Sequence, residues 1–401
     1  MIGKVLWASV FGVLLLSGNV VRASSSCSSD LDCSLNGICQ DAKKSSASYV
    51  ASAAKVCVCD KPWSGDKCEK LNFQPAKGRK NSGMYQSEND LDTPTAATAM
   101  APQGYGMDPN VTTWGGGILV ERSNDKNATV YHLYVSRMTN ECPLANWHTN
   151  SRVDHAVSNS ITGPYTFRDV AIPTFSHNPA PVELSTKSNL WKYAIFHIGD
   201  GTGKPGKDCR NATTSSTFQA DMPLLEGEFQ PGAEQRQRNL LRGDDETAIG
   251  STIHVANSLN GPWVPLQGHD LGHCNNVAPW VHPSNGTLYV ICSYSGKHSI
   301  LHKSQDGNVA GPYEVVKDFA PGIPINNITD TAYEDPSLYT EQRGYSHVIY
   351  HAYQYTGTDR ECSSTVVSAH TFSRDGFDWH TSPTPPYGSN IAVEGEERPV
   401  T

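Results

Sequence analysis

Four stretches of the chain repeat one pattern: His155-Ala156-Val157-Ser158 leading to Gly163-Pro164-Tyr165, His254-Val255-Ala256-Asn257 to Gly261-Pro262-Trp263, His302-Lys303-Ser304 to Gly311-Pro312-Tyr313, and His370-Thr371-Phe372-Ser373 to Trp379. Each follows a run of strand-forming residues, so the pattern reads as a strand, a polar turn and a last strand opened by Gly-Pro-aromatic. Recurrence of one supersecondary unit predicts a radial or stacked architecture, and the uneven spacing favours blades with variable loops over a strict solenoid.

A second pattern alternates with the first. Ser176-His177-Asn178-Pro179, Asn275-Asn276-Val277-Ala278-Pro279, Tyr333-Glu334-Asp335-Pro336 and Glu396-Glu397-Arg398-Pro399 each set a polar or acidic tip before a proline. Proline is tolerated at a strand start, where no ladder donor is needed. As the first strands of blades around an axis, these segments bring their tips to one end of the ring, where such a fold places its site.

A net charge of −9 and the lack of a basic stripe exclude nucleic acid as a partner. With 34 glycines and 25 prolines the chain reads as all-β and rich in loops. Lys4, the apolar run Val5 to Leu16 and small residues up to Ala23 predict a signal peptide over 1–23 and hence secretion. The run is shorter than the ~20 residues of a spanning helix, and no other segment predicts a transmembrane span. Asn110, Asn127, Asn211, Asn285 and Asn327 open Asn-x-Ser/Thr triplets and are expected to carry glycans.

Cys27, Cys33, Cys39, Cys57, Cys59 and Cys68 crowd into one short stretch, a density that reads as a disulfide scaffold. Six cysteines allow 15 pairings. The stretch Cys57-Val58-Cys59 to Cys68, preceded by Leu35-Asn36-Gly37-Ile38-Cys39, resembles an EGF-like module over 24–70. That resemblance implies pairing Cys27 with Cys39, Cys33 with Cys57 and Cys59 with Cys68, and makes the module a place for a protein partner. Its even, closed cysteine set predicts an independent unit. Cys142, Cys209, Cys274, Cys292 and Cys362 are odd in number, so one is expected to lack a partner within the chain.

Residues 71–104 are polar without a sustained period and read as a linker, with the ring over 105–401. Blade two is interrupted by a long insertion, 199–250, in which Glu234 to Arg242 predicts a short exposed helix. A fifth blade shows only its first strand, near Glu397, so either the ring is incomplete in this chain or the N-terminal segment supplies the strands that close it.

The strand starts with their polar tip and proline, together with the Gly-Pro-aromatic turns, resemble the five-bladed β-propeller of glycoside hydrolase families 43 and 32, and more narrowly a group of secreted proteins joining an EGF-like module to such a ring. The resemblance implies hydrolysis of glycosidic bonds by axial carboxylates, and a glycan or polysaccharide as partner. Glycoside cleavage needs one carboxyl group to protonate the leaving oxygen and another to activate water or attack carbon.

Glu334 and Asp335 are the leading catalytic candidates, with Glu397 and Asp108 next, since Trp114-Gly115-Gly116 offers no carboxylate where the family sets its base. His177, Asn178 and Asn276 are expected at the axis as substrate-binding groups. Trp114, Trp280 and Tyr339 either stack on sugar rings or pack between blades. His155, His254, His302 and His370 recur in register, which assigns them a structural job. No cofactor or metal is expected beyond a structural cation on the axis. The other reading is a non-catalytic extracellular glycan-binding or adhesion protein, favoured by the missing acid at Gly115.

Overall fold

The structure is a computed structural model that describes residues 26–41, 55–72, 112–122, 129–209, 251–271, 274–294, 298–319, 331–354 and 368–388. Strands β1 (Gly37–Asp41), β2 (Lys55–Cys59), β3 (Trp63–Ser64) and β4 (Lys70–Leu71) form two small hairpins at the N-terminal side. Then come four antiparallel sheets of four strands, each a simple meander in chain order. They are β5 (Thr113–Arg122) to β8 (Thr166–Ile172), β9 (His177–Glu183) to β12 (Val264–Pro265), β13 (Asn275–Val281) to β16 (Tyr313–Phe319), and β17 (Thr331–Thr340) to β20 (Trp379–Thr381).

The middle strands are β6 (Thr129–Met138) and β7 (Ser151–Ser158), β10 (Tyr193–Ile198) and β11 (Ser251–Ala256), β14 (Leu288–Tyr294) and β15 (His298–Ser304), and β18 (Ser346–Gln354) and β19 (Ser368–Ser373). First strands of successive sheets are neighbours, β5 to β9, β9 to β13 and β13 to β17. The fold is therefore a β-propeller with its first strands innermost.

Side chains alternate across a strand, so a middle strand packed between two blades is apolar on both faces. Ile195 of β10 joins Tyr134, Val153 and Ile172 of blade one, while its neighbour Phe196 joins Leu288 and Val290 of blade three. In β14 the even positions Leu288, Val290 and Cys292 face blade two, and Tyr289 and Ile291 face Tyr333, Val348 and Tyr350 of blade four. Each fully buried side chain of this size contributes about 1.5–3 kcal/mol. The strong β-runs of the sequence lie in these strands for that reason.

Three of the Gly-Pro turns repeat in detail. Gly163, Gly261 and Gly311 have φ of 79°, 73° and 95°. Their N–H groups close onto Ser160, Ser258 and Asn308 carbonyls at 3.0, 2.9 and 3.0 Å.

The described residues make four blades, not the five expected, and the strand expected to open a fifth, at Glu396-Glu397-Arg398-Pro399, falls outside them. Also outside lie 1–23, Asp108, 73–104 of the linker, the helix expected over 234–242, Cys362, and Asn110, Asn127, Asn211 and Asn327. Asn285 is described, exposed in the β13–β14 turn, with its Oδ1 accepting Thr287 N–H at 2.9 Å. No helix among the described residues is long and apolar enough to cross a membrane.

The N-terminal module has the three disulfides that the resemblance implied, Cys27–Cys39, Cys33–Cys57 and Cys59–Cys68. Two more link Cys142 to Cys209 and Cys274 to Cys292, which accounts for four of the five other cysteines. A side chain at Gly37 would meet Cys68 Sγ at 2.7 Å, so β1 can approach the third bridge only as glycine.

The expectation of an independent module is corrected by the packing. Arg343, in the β17–β18 turn, donates from Nη2 to Leu35 O at 2.7 Å and Asp60 Oδ2 at 2.6 Å, and from Nη1 to Gly37 O at 3.0 Å. Trp63 stacks on His370 with ring centroids 4.8 Å apart, and Leu71 N–H donates to Pro386 O at 2.7 Å. The module is thus fastened to blade four through charge-assisted bonds, which are about twice as strong as neutral ones.

Candidate functional site

Each innermost strand opens with a bulge, and each bulge carries one residue in the left-handed region. They are Gly115, Asn178, Asn276 and Asp335, with φ of 57°, 49°, 45° and 47°. The register shifts fall at Trp114/Gly116, Phe196/Ile198, Asn275/Ala278 and Glu334/Ser337. A bulge bends the strand and re-aims its side chain. Glycine, asparagine and aspartate are the residues that tolerate this conformation. Backbone geometry alone therefore restricts which residues stand at the four axial positions.

Three of those side chains meet. Asn178 Nδ2 donates to Asn276 Oδ1 at 2.7 Å and to Asp335 Oδ1 at 3.1 Å. Asn178 N–H donates to Ser136 Oγ at 2.9 Å, which fixes the bulge of β9 against blade one. Asn178 Oδ1 points to Gly115, where any Cβ would collide with it, and it is buried with no hydrogen-bond partner.

Asp335 is half-buried, and burial, then the neighbouring Glu334, push its carboxyl up to about 6, against His351 and the Asn178 hydrogen bond, which pull it down. Tyr387 is raised by burial and by the nearby Asp335. Oxygen and nitrogen atoms of Glu334, Asp335 and His351 lie within 4.8 Å of one another, a spacing at which two carboxylates and an imidazole can share one cation.

Of the residues expected at the site, the structure brings together Asn178, Asn276, Asp335 and Glu334. His177 is turned elsewhere: its Nδ1 lies 2.7 Å from Ser151 Oγ, its ring packs 5.0 Å from Trp147, and burial lowers it to about 4. Ser151 Oγ also meets Ser176 O at 2.8 Å, so the hydroxyl donates there and accepts from His177 Nδ1–H. Trp280 stands further along β13 and packs on Tyr289 at 5.4 Å, between blades. Tyr339 stacks on His347 at 5.1 Å. Trp114 is 43 % exposed beside Gly115. Asp108 and Glu397 lie outside the described residues.

Sequence reasoning missed Gly115 as the partner surface of Asn178, and Ser136, His351 and Tyr387 altogether. The repeated Gly-Pro-aromatic turns gave no sign of Ser136, whose place is set by its pairing with Trp114 across β5 and β6.

The recurrent histidines pair inside the blades. His132 Nδ1 and His155 Nε2 are 2.9 Å apart, His197 Nε2 and His254 Nδ1 2.9 Å, and His347 Nδ1 and His370 Nε2 3.1 Å. In blade three His302 Nδ1 meets Cys292 Sγ at 3.8 Å. These groups fill the sheets and stand apart from the axial cluster, as the recurrence implied.

No family model matches the chain, and no curated protein matches it. Solved structures similar to it include a β-1,3-galactosidase of glycoside hydrolase family 43, at 11 % identity and TM-score 0.41, covering 70 % of this chain and 50 % of that one. The exo-β-1,3-galactanase of Phanerochaete chrysosporium with galactose is 9 % identical at TM-score 0.42, covering 70 % and 52 %. A family 117 glycoside hydrolase of the marine bacterium Zobellia galactanivorans is 14 % identical at TM-score 0.39, covering 73 % and 78 %. The chain spans about half the length of the first two.

Proposed function

We propose that this is a secreted carbohydrate-active propeller of the glycoside hydrolase kind, with an EGF-like module, that receives the end of a glycan at the axial cluster. The carrying observation is the convergence of Asn178, Asn276 and Asp335, with Asn178 Oδ1 buried and unmatched. A carboxyl group that keeps its proton near pH 6 is a donor to a sugar oxygen, and the orphan amide oxygen is an acceptor for a sugar hydroxyl. Asp335 takes the role of proton-holding group toward the leaving oxygen, and Glu334 keeps that proton in place by repulsion between like charges. Glu334 and Asp335 come from one strand, so the group acting on the opposite face of the sugar comes from another blade, the role proposed for Asp108 or Glu397.

A second reading, glycan binding without hydrolysis, is favoured by Gly115, Asn178 and Asn276, which put no carboxylate at three of the four axial positions. Asp335→Asn separates the two. Turnover of aryl glycosides and of galactan, xylan and arabinan is measured beside glycan affinity. Loss of most turnover with affinity kept supports hydrolysis. Binding in both proteins with no turnover in either supports the second reading, and absence of both activities in the native chain defeats the proposal.

A further inference from the structure

The first blade sets two arginines side by side. Arg137 of β6 and Arg152 of β7 are direct cross-strand partners, and Thr113, which opens β5, pairs with Arg137 on its other side. Like charges opposite one another in a sheet are destabilising. Asp154, two residues further along β7 and fully buried, answers both. Arg152 donates from Nε to Oδ1 at 2.7 Å and from Nη2 to Oδ2 at 3.4 Å, and Arg137 from Nη1 to Oδ2 at 3.4 Å. One carboxylate balances one of the two cations, and the guanidinium side chains keep 32 % and 26 % of their surface in solvent. Each guanidinium carries five N–H donors. Among the described residues those donors meet no acceptor besides Asp154.

The row lies at the strand ends where the axial residues begin. Ser136, which receives Asn178 N–H, adjoins Arg137 on β6 and faces the other side of the sheet, so the arginine row shares the axial end of blade one and lies across the sheet from Ser136, as Thr113 lies across it from the 43 % exposed Trp114. We propose that Arg137 and Arg152 form an anion subsite beside the axial cluster, taking the carboxylate of a uronic acid or the sulfate ester of a substituted sugar. The inference rests on the carbohydrate reading above and narrows its substrate to acidic glycans. A planar fork of donors matches the paired oxygens of a carboxylate or sulfate. On a chain of net charge −9 an acidic polymer is repelled elsewhere, so a local excess of positive charge also sets the direction in which it lies.

The test uses the full secreted chain and measures binding of polygalacturonate oligomers, sulfated galactan oligomers and neutral galactan oligomers at low and high salt. Acidic oligomers are expected to bind more tightly than neutral ones, and salt to weaken only the acidic set. Arg137→Gln should lose about tenfold or more for acidic oligomers, the worth of charged hydrogen bonds, with neutral binding unchanged. Arg137→Lys keeps the charge over Asp154 and guards against a folding defect; an intermediate loss is expected. The uronate and sulfate arms say which anion is taken. Equal affinity for neutral and acidic oligomers, or acidic binding untouched in both variants, overturns the subsite and leaves the carbohydrate reading standing. Acidic binding through Arg137 that polyaspartate matches, in a native chain that neither binds nor turns over neutral oligomers, overturns that reading alone.

Discussion

Asn178 Oδ1 occupies the space that a side chain at Gly115 would fill, so the innermost strand of blade one is shaped around a residue of blade two. Gly115→Ala is expected to fold poorly for two reasons. Its φ of 57° costs a side chain about 1–2 kcal/mol, and the new methyl displaces Asn178 from Asn276 and Asp335. In an Asn178→Gly background the clash is absent and those two hydrogen bonds are already gone, so Gly115→Ala should cost only the first part, and chemical denaturation of the two single variants and the double variant should give a non-additive cycle. Additive losses would mean that the two residues do not meet.

Acid should loosen the blades through their histidine pairs. Burial lowers His197 to about 3, His254 to about 4, His347 to about 3, and His370 well below its ordinary value. An unfolded histidine takes its proton near 6.5, so between that value and about 4 the unfolded chain binds more protons than the native one. Stability is then fully present above pH 6.5 and falls as pH drops toward 4, at about 1.4 kcal/mol per unit for each group that stays neutral. A denaturation midpoint that is flat from pH 7 to 4.5 would contradict this.

Blade one should resist longer than blade four. Glu121 Oε2, His132, His155 and Asp169 Oδ1 form one row across all four strands, with contacts of 3.3, 2.9 and 3.2 Å. Three contacts need three protons, and two neutral imidazoles supply two, so this row accepts one more without breaking a bond. In blade four His347 Nε2 and His370 Nδ1 are buried without partners, and a proton added there has no acceptor. Hydrogen exchange as a function of pH should show amides of β18 and β19 opening before those of β6 and β7; the reverse order would refute the assignment.

Arg343→Ala should release the N-terminal module. The variant removes three hydrogen bonds to Leu35 O, Gly37 O and Asp60 and is expected to cost about 2 kcal/mol or more. The readouts are the melting temperature and the rate of proteolysis between module and ring, and deletion of residues 24–70 should lower the melting temperature comparably. A ring that melts unchanged after either alteration would restore the module to independence.

The strand runs, the Gly-Pro turns and the polar tips before proline were legible because they follow from local chemistry: apolar faces, positive φ at Gly163, Gly261 and Gly311, and proline without a ladder donor. The meaning of Asn178 and Asn276 was not. Read as residue types they suggested contacts to substrate, whereas the left-handed bulge already demands Gly, Asn or Asp at those positions. His177 was misplaced because adjacent residues of a strand face opposite ways, and only the register decides that Asn178 takes the axis. The histidine pairs and the Arg137–Arg152 row depend on register between strands, which spacing along one chain does not reveal.

Leu71, the last residue of β4, is bonded to Pro386, next to the Tyr387 that neighbours Asp335. A pull on the N-terminal module therefore reaches blade four through Arg343, Trp63 and Leu71 before it reaches the strand that follows the module in sequence. These contacts join the module to blade four, so a surface-tethered form of this protein would feel tension first at the wall of its own axial cluster.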